Sequence, residues 1–449
     1  MNRVDALFTC ALAATPLLSA CNGDEVSASP AAAQPAPAPA ATPSTPPPTG
    51  SPSPAPSPTP SSPPPPSAPP PAGSPPAAAP PLAIDTNAPP PAPAGSVSAR
   101  LVSFATGFAT PWAMAFLPDG QLLVTQKGGT LVRVSADGST KTMVSGVPTV
   151  DARDQGGLLD VALDPQFATN RRVYLTFSEP GPTGTGTNGT AVARAELNTA
   201  GTALVNLTVI FQQLPKKVST GHYGSRLAFR TDGSLFVTLG ERQSFSGDAQ
   251  SLTSQLGKVV RINTDGQPLA SNPMFSMGGL TAAIWSYGHR NPQAATINPA
   301  TGDLWVSEHG PQGGDEVNLA RPGLNFGWPT VSYGCNYGDP VGTACRIGGG
   351  THTGNFTAPL AYWYPVSIAP GGMAFYSGNR IPAWQGNLFV GGLNGSRALF
   401  RLVLNGDAVT ATEALFAGQH EWRDVRQGPD GYLYVMSRSA SAIYRVDSN

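Results

Sequence analysis

After about residue 100, short apolar runs recur along the chain in pairs, each pair joined by a turn. The first pair is Pro111–Phe116 and Leu122–Thr125, joined through Pro118-Asp119-Gly120. The second is Gly157–Leu163 and Val173–Phe177, with a turn from Asp164 to Arg171. The third begins after His222, turns at Thr231-Asp232-Gly233 and continues as Leu235–Thr238. Pro292–Ile297 with Leu304–Ser307, Gly372–Tyr376 with Leu388–Val390, and Trp422–Arg426 with Leu433–Met436 complete the set. Asp-Gly between two such runs is a strong hairpin signal. The turn glycines from Gly120 to Gly431 lie about 62 residues apart on average, an all-β repeat of the length that builds propeller blades of four strands. The pattern therefore predicts an all-β, six-bladed β-propeller over residues 96–449.

Closing six units into a ring has a geometric consequence. Each first strand leaves one mouth, turns, and its partner returns to that mouth. Residues before first strands and after second strands should meet there: Trp112, Gln155, His222, Arg290-Asn291, Pro370 and Arg423 from the first set, and Gln126-Lys127, Gly240-Glu241-Arg242, Glu308-His309-Gly310-Pro311 and Gly392-Leu393-Asn394 from the second. They are mostly polar or flexible, and loops of this kind commonly carry ligand sites.

The N-terminal part breaks the pattern. Arg3 precedes an apolar run from Ala6 to Leu18, which reads as an export signal over residues 1–21. Leu18-Ser19-Ala20-Cys21 resembles a lipobox that would lipidate Cys21; an ordinary cleaved signal is the alternative. Residues 22–95 are rich in Pro, Ala and Ser, a composition that buries nothing and reads as a disordered, semi-rigid linker. The expectation is a periplasmic or cell-surface protein touching a membrane only through its lipid anchor, since no later apolar run is long enough to span one. The 449 residues carry a net charge of −1, which gives no electrostatic case for nucleic acid. Of four cysteines, Cys10 and Cys21 lie at the N-terminus; Cys335 and Cys345, close together in an exported chain, read as a disulfide.

His222 stands in Gly221-His222-Tyr223-Gly224, where an imidazole suits general acid–base work and flanking glycines let a ligand approach. A lone histidine is more often structural, and its place in the repeat is what singles it out. The segment Glu308-His309-Gly310-Pro311-Gln312-Gly313-Gly314-Asp315-Glu316 offers carboxylates and carbonyls, the donors that Ca²⁺ takes, or else is a turn with solvated acids. Arg290-Asn291, Arg226 and Arg423 supply donors suited to carboxylates and polarised carbonyls.

Five motifs in order carry a resemblance to the soluble pyrroloquinoline-quinone-dependent aldose sugar dehydrogenases of the glucose/sorbosone dehydrogenase family. They are Asp154-Gln155-Gly156-Gly157-Leu158-Leu159, Gly221–Leu227, Tyr287-Gly288-His289-Arg290-Asn291-Pro292-Gln293, Ser307–Pro311 with Asp315-Glu316, and Arg423-Asp424-Val425. The resemblance spans roughly Ser103 to Asp447. It implies oxidation of an aldose at C1 to a lactone, with His222 as base and hydride passing to the quinone. Arg290 would polarise a quinone oxygen, Gln155 and Asn291 would hold the cofactor, and Arg423 would meet a cofactor carboxylate. Gly310 and Pro311 would offer carbonyls to the Ca²⁺ that also binds the quinone, and Glu316 would serve a second, structural Ca²⁺. The electron acceptor, a quinone or a cytochrome, stays unnamed.

Three positions depart from the family pattern. Asn394 stands for a cofactor-binding lysine, Glu421 for an arginine, and Gly221 for an acid before the histidine in the glucose-specific branch. Two cations are thus missing around a tricarboxylate, and Glu421 adds repulsion if it points inward; Arg397 and Lys127 are the candidates to compensate. Asn394 and Glu421 favour a competing reading, a non-catalytic propeller that binds a glycan or protein partner. A Ca²⁺-dependent propeller lactonase would need a carboxylate-rich central site, whereas Arg and Gln occupy this mouth.

Overall fold

The structure, a computed structural model, describes residues 80–88, 91–93 and 96–449. The signal, Cys21 and most of the linker lie outside the described residues.

Six sheets, antiparallel but for one added edge strand in the fourth, form in chain order the six expected blades. The innermost strands are Pro111–Phe116, Leu158–Leu163, Gly224–Phe229, Pro292–Ile297, Pro370–Phe375 and Trp422–Gln427. Each packs beside the next, and the sixth returns to the first. Ring closure comes from Ala99–Thr106, which pairs antiparallel with the C-terminal strand Ala442–Ser448 as the outer strand of the sixth blade. Cohesion is spread around the ring rather than centred, because each seam between neighbouring blades holds its own apolar cluster. Leu131 and Val144 meet Leu175 and Ala193 at the first seam, and Trp305 and Trp363 meet Phe375 and Leu388 at the fourth.

The turn chemistry follows the repeat. Gly120, Gly233, Gly302, Gly386 and Gly431 all have φ between 75° and 85° in their hairpins, which only glycine adopts without strain. The second blade instead turns through a short helix, Phe167–Asn170, stopped by Arg171 in the left-handed region.

One strand lies where the sequence predicts linker. Leu82–Asp85, inside the stretch 22–95, pairs parallel with Ala361–Tyr364, the outer strand of the fourth blade. The disordered reading therefore does not extend over these residues. Leu-Ala-Ile-Asp alternates as a strand does, and Ile84 enters the seam between the fourth and fifth blades at 2% exposure. An outer edge that would otherwise show unpaired backbone groups is covered.

The last feature positions the site. In every blade, the pairing of first and second strand slips near the mouth end: between Pro111 and Ala113, Leu158 and Val161, Gly224 and Leu227, Pro292 and Ala294, Pro370 and Met373, and Trp422 and Asp424. Such bulges re-aim side chains. Repeated six times at one height, they turn the entry of each inner strand toward the axis.

Candidate active site

A cavity of about 420 Å³ opens at this mouth. Trp112, Gln293 and Arg423 line it below, and Lys127, Gln155 and Asn394 are among its walls. His309 borders both this cavity and a much smaller recess shared with Arg290, Gly310, Glu308 and Glu316. Predicted mouth residues from several blades are thus brought together, and the second-strand residues Lys127, His309 and Asn394 join first-strand residues as ring closure requires.

His222 is held through its backbone and through its ring. Its backbone N–H donates to Gln155 Oε1 at 2.9 Å, and its Nδ1 lies 2.7 Å from Glu241 Oε2. With Glu241 ionised, Nδ1 carries the proton and donates, so the free lone pair belongs to Nε2. Glu241 is fully buried, and its backbone N–H donates to Arg290 O at 2.9 Å. Burial pushes the His222 imidazole below its usual value; the Glu241 hydrogen bond and charge oppose this, and the Arg290 charge adds to it. The ring is therefore neutral near pH 7. His222, Arg242 and Gln243 all have positive φ, at 50°, 66° and 63°. Left-handed non-glycine residues cost of order 1–3 kcal/mol each and gather at functional sites. Arg242 locks this loop, donating to Gly221 O and to Ser219 O while stacking on Tyr223 at 3.5 Å. The place a side chain at Gly221 would take is filled by Gln243, whose Oε1 lies 2.1 Å from it.

A second histidine–glutamate pair supports Arg290. His289 Nδ1 is 2.8 Å from Glu308 Oε1, while Glu308 Oε2 accepts from the Arg290 backbone N–H at 2.6 Å. The Arg290 guanidinium donates to Gly310 O at 2.8 Å and to the Tyr337 hydroxyl at 3.2 Å; its Nε has no partner. Asn291 accepts from Gly224 N–H at 3.1 Å, and its buried Nδ2 is likewise unpartnered. Asp315 is spoken for: it accepts from Gly310, Ile368 and Ala369 N–H and from the Ser367 hydroxyl, and so pins the loop. Glu316 is different. Burial first, then the nearby Glu308 charge, push it well above the usual carboxylate range, with Asn318 between the two acids. Pro311 is buried and packs against Gly334. The long loop holding Tyr337 is closed by the disulfide Cys335–Cys345.

Arg423 and Arg226 share the Trp112 ring, at 4.3 and 4.4 Å, but serve different ends. Arg423 donates through Nη1 to Gln293 Oε1 at 2.8 Å and leaves Nε and Nη2 buried without partners. Arg226, expected as a mouth donor, instead lies below it in the channel. It is paired with Asp160 at 3.1 Å and Asp424 at 3.0 Å, and Arg426 reaches the same two acids. This balanced quartet plugs the channel, and Arg226 has no capacity left for a ligand. It lies within the bulge of its strand, between Gly224 and Leu227.

Of the departures, Asn394 lines the cavity, Arg397 is exposed outside it, and Lys127 lines it while donating to Ala152 O and Asp154 O. Glu421 faces the cavity as an ion pair with Arg438, Nε to Oε2 2.7 Å. Sequence reasoning gave no role to Glu241 or Arg438. One signal was available for Glu241: His222 and Glu241 are 19 residues apart, as are His289 and Glu308.

Comparison with known proteins bears on the family and the fold. The Glucose / Sorbosone dehydrogenase family profile matches residues 108–445. The aldose sugar dehydrogenase YliI of Escherichia coli (strain K12) is 41% identical over 333 residues, covering 74% of this chain and 88% of that protein. The apo-form crystal structure of the soluble aldose sugar dehydrogenase from Escherichia coli superposes with a TM-score of 0.72 at 38% identity, over 78% of this chain and all of that one. The PQQ-bound aldose sugar dehydrogenase from Streptomyces coelicolor gives a TM-score of 0.65 at 29% identity, over 80% of this chain and all of that one.

Proposed function

Because the chain belongs to the glucose/sorbosone dehydrogenase family, we propose that it oxidises aldose sugars at C1 to lactones, with pyrroloquinoline quinone (PQQ) as acceptor and His222 as general base. The single observation that carries this is His222: a buried, neutral imidazole fixed by Glu241, its Nε2 free, its backbone hydrogen-bonded to Gln155 of the wall of a ligand-sized cavity and its ring within reach of the Arg290 charge.

The residues fit the cofactor. Arg423 Nε and Nη2, Arg290 Nε and Asn291 Nδ2 are buried donors without acceptors among the described residues, an arrangement that costs free energy unless an oxygen-rich ligand meets them. Bound there, PQQ supplies the two-electron acceptor for hydride. The chain does the rest. His222 Nε2 takes the proton of the C1 hydroxyl as the C1–H bond breaks, and Glu241 holds the imidazolium that results. Arg290 and Asn291 hold ligand oxygens, Gln155 sets the His222 backbone, and Arg423 with Trp112 forms the floor.

The recess behind Arg290 suits a hard cation such as Ca²⁺. Glu316 is an acid whose charged form is disfavoured by burial and by Glu308, and a cation would relieve both. For a separate Ca²⁺ at the cofactor, the Gly310 carbonyl, already accepting from Arg290, keeps a second lone pair, with Pro311 next in the chain.

The test is a titration of the purified chain with PQQ and Ca²⁺, followed by aldose-dependent dye reduction. Saturable binding and turnover that His222→Ala abolishes are expected. Absence of PQQ binding would refute the reading and leave a mouth that binds a glycan or protein without chemistry.

A further inference from the structure

The cavity wall carries a cation that its motifs do not account for. Glu421 precedes the inner strand of the sixth blade, and Arg438 follows that blade's second strand, Leu433–Ser437. The two positions are laced together by backbone: Arg438 N–H donates to Glu421 O at 2.9 Å, and Glu421 N–H to the Ser439 hydroxyl at 3.0 Å. Among the described residues, the Glu421 carboxylate accepts from Arg438 Nε alone. Both Nη groups of Arg438 lack a protein acceptor among the described residues. A guanidinium gripped by its Nε edge presents its two amino groups outward, in the forked geometry that matches a carboxylate.

Arg438 and Arg423 line the same cavity. Arg423 is nine-tenths buried or more, with Nε and Nη2 unpartnered, and Arg438 is one of the charges that depress its ionisation. Two guanidiniums facing one space repel unless an anion lies between them. Glu421, the residue that seemed to spoil an anion site, is neutralised and serves as the handle for the cation beside it.

We propose that Arg438, oriented by Glu421, is a binding residue for a carboxylate of the cofactor, cancelling the Glu421 charge and presenting a guanidinium fork in a mouth where Asn394 offers no cation. The inference rests on the PQQ reading above. It assigns to this chain a relocated clamp: the cation stands across the open end of the hairpin, and the acid takes the place of an arginine.

The test is calorimetric titration of the full chain with PQQ in excess Ca²⁺, at low and moderate salt, needing no turnover. For Arg438→Gln the dissociation constant should rise about 5- to 20-fold at low salt, with the gap narrowing as salt screens the exposed charge. Arg438→Lys should recover only part, because an ammonium keeps the charge but lacks the fork. Arg100→Gln, an exposed arginine on the outer strand of the sixth blade, controls for net charge and should bind as the parent does. Equal affinity of parent and Arg438→Gln overturns the inference alone, and so does an equal loss in Arg100→Gln. No binding by the parent overturns the PQQ reading and this inference with it. Unchanged melting temperatures check that each variant is folded.

Discussion

Replacing Glu241 by Gln is the sharpest probe of the base. The change is nearly isosteric, and Gln Oε1 can still accept from the Gln243 N–H that Glu241 Oε2 now accepts at 3.2 Å. What goes is a buried charge-assisted hydrogen bond of 2.7 Å to His222 Nδ1. Such bonds contribute about 1.5–3 kcal/mol. At 1.36 kcal/mol per tenfold, the loss in kcat/KM should be roughly 10- to 150-fold. The neutral amide, its oxygen still facing both the Gln243 N–H and Nδ1–H, no longer holds the developing imidazolium. The sign with pH follows. His222 already titrates below its usual value, with Glu241 opposing the shift. Without Glu241 it titrates lower still, so the acid limb of kcat/KM should move to lower pH while the plateau falls. PQQ affinity should hold, since Glu241 does not line the cavity. A plateau within threefold of the parent, or an acid limb displaced upward, would refute the assignment of His222 as base.

Other outcomes can be checked alongside. Arg226→Met leaves Asp160 and Asp424 short of a buried partner, so chemical denaturation should show a loss of about 3–5 kcal/mol. His352 is held down to about 4 by burial. Its folded form stays neutral while the unfolded chain takes up a proton, so stability should fall as pH drops from about 6.5 to 4 and flatten below. His352→Phe should remove up to about 3 kcal/mol of that dependence in denaturation curves taken at several pH values. Replacing Cys335 and Cys345 together by serine should lower stability by about 2–3 kcal/mol, since they close a loop across a separation of only 10 residues. Fatty-acid labelling of the exported chain should be lost in Cys21→Ala; labelling that persists would rule out Cys21 as the anchor.

The wheel was legible because its signal repeats: an apolar run, a turn glycine, an apolar run. Even the second blade, which uses Arg171 for the turn, kept both runs. The common rim followed from closure, which fixes heights without fixing directions. Directions are what the sequence withheld. Arg226 and Arg423 are both arginines within the bulges of inner strands and on one tryptophan, yet one faces a salt-bridged plug and the other an open cavity; bulges leave no mark in composition. Glu241 was visible as a mouth residue but not as the partner of His222, because that pairing joins the ends of two strands. Glu421 read as a repulsive acid until its cross-strand neighbour was known. Leu82–Asp85 was lost to averaging, four strand-like residues in a proline-rich neighbourhood.

That short strand has a mechanical meaning. The leader grips the propeller at the fourth blade, whereas the strand that closes the ring, Ala99–Thr106, belongs to the sixth. A pull on the leader is borne first by four residues at an outer rim, so they can peel away like a sacrificial stitch before any strain reaches the clasp of the wheel.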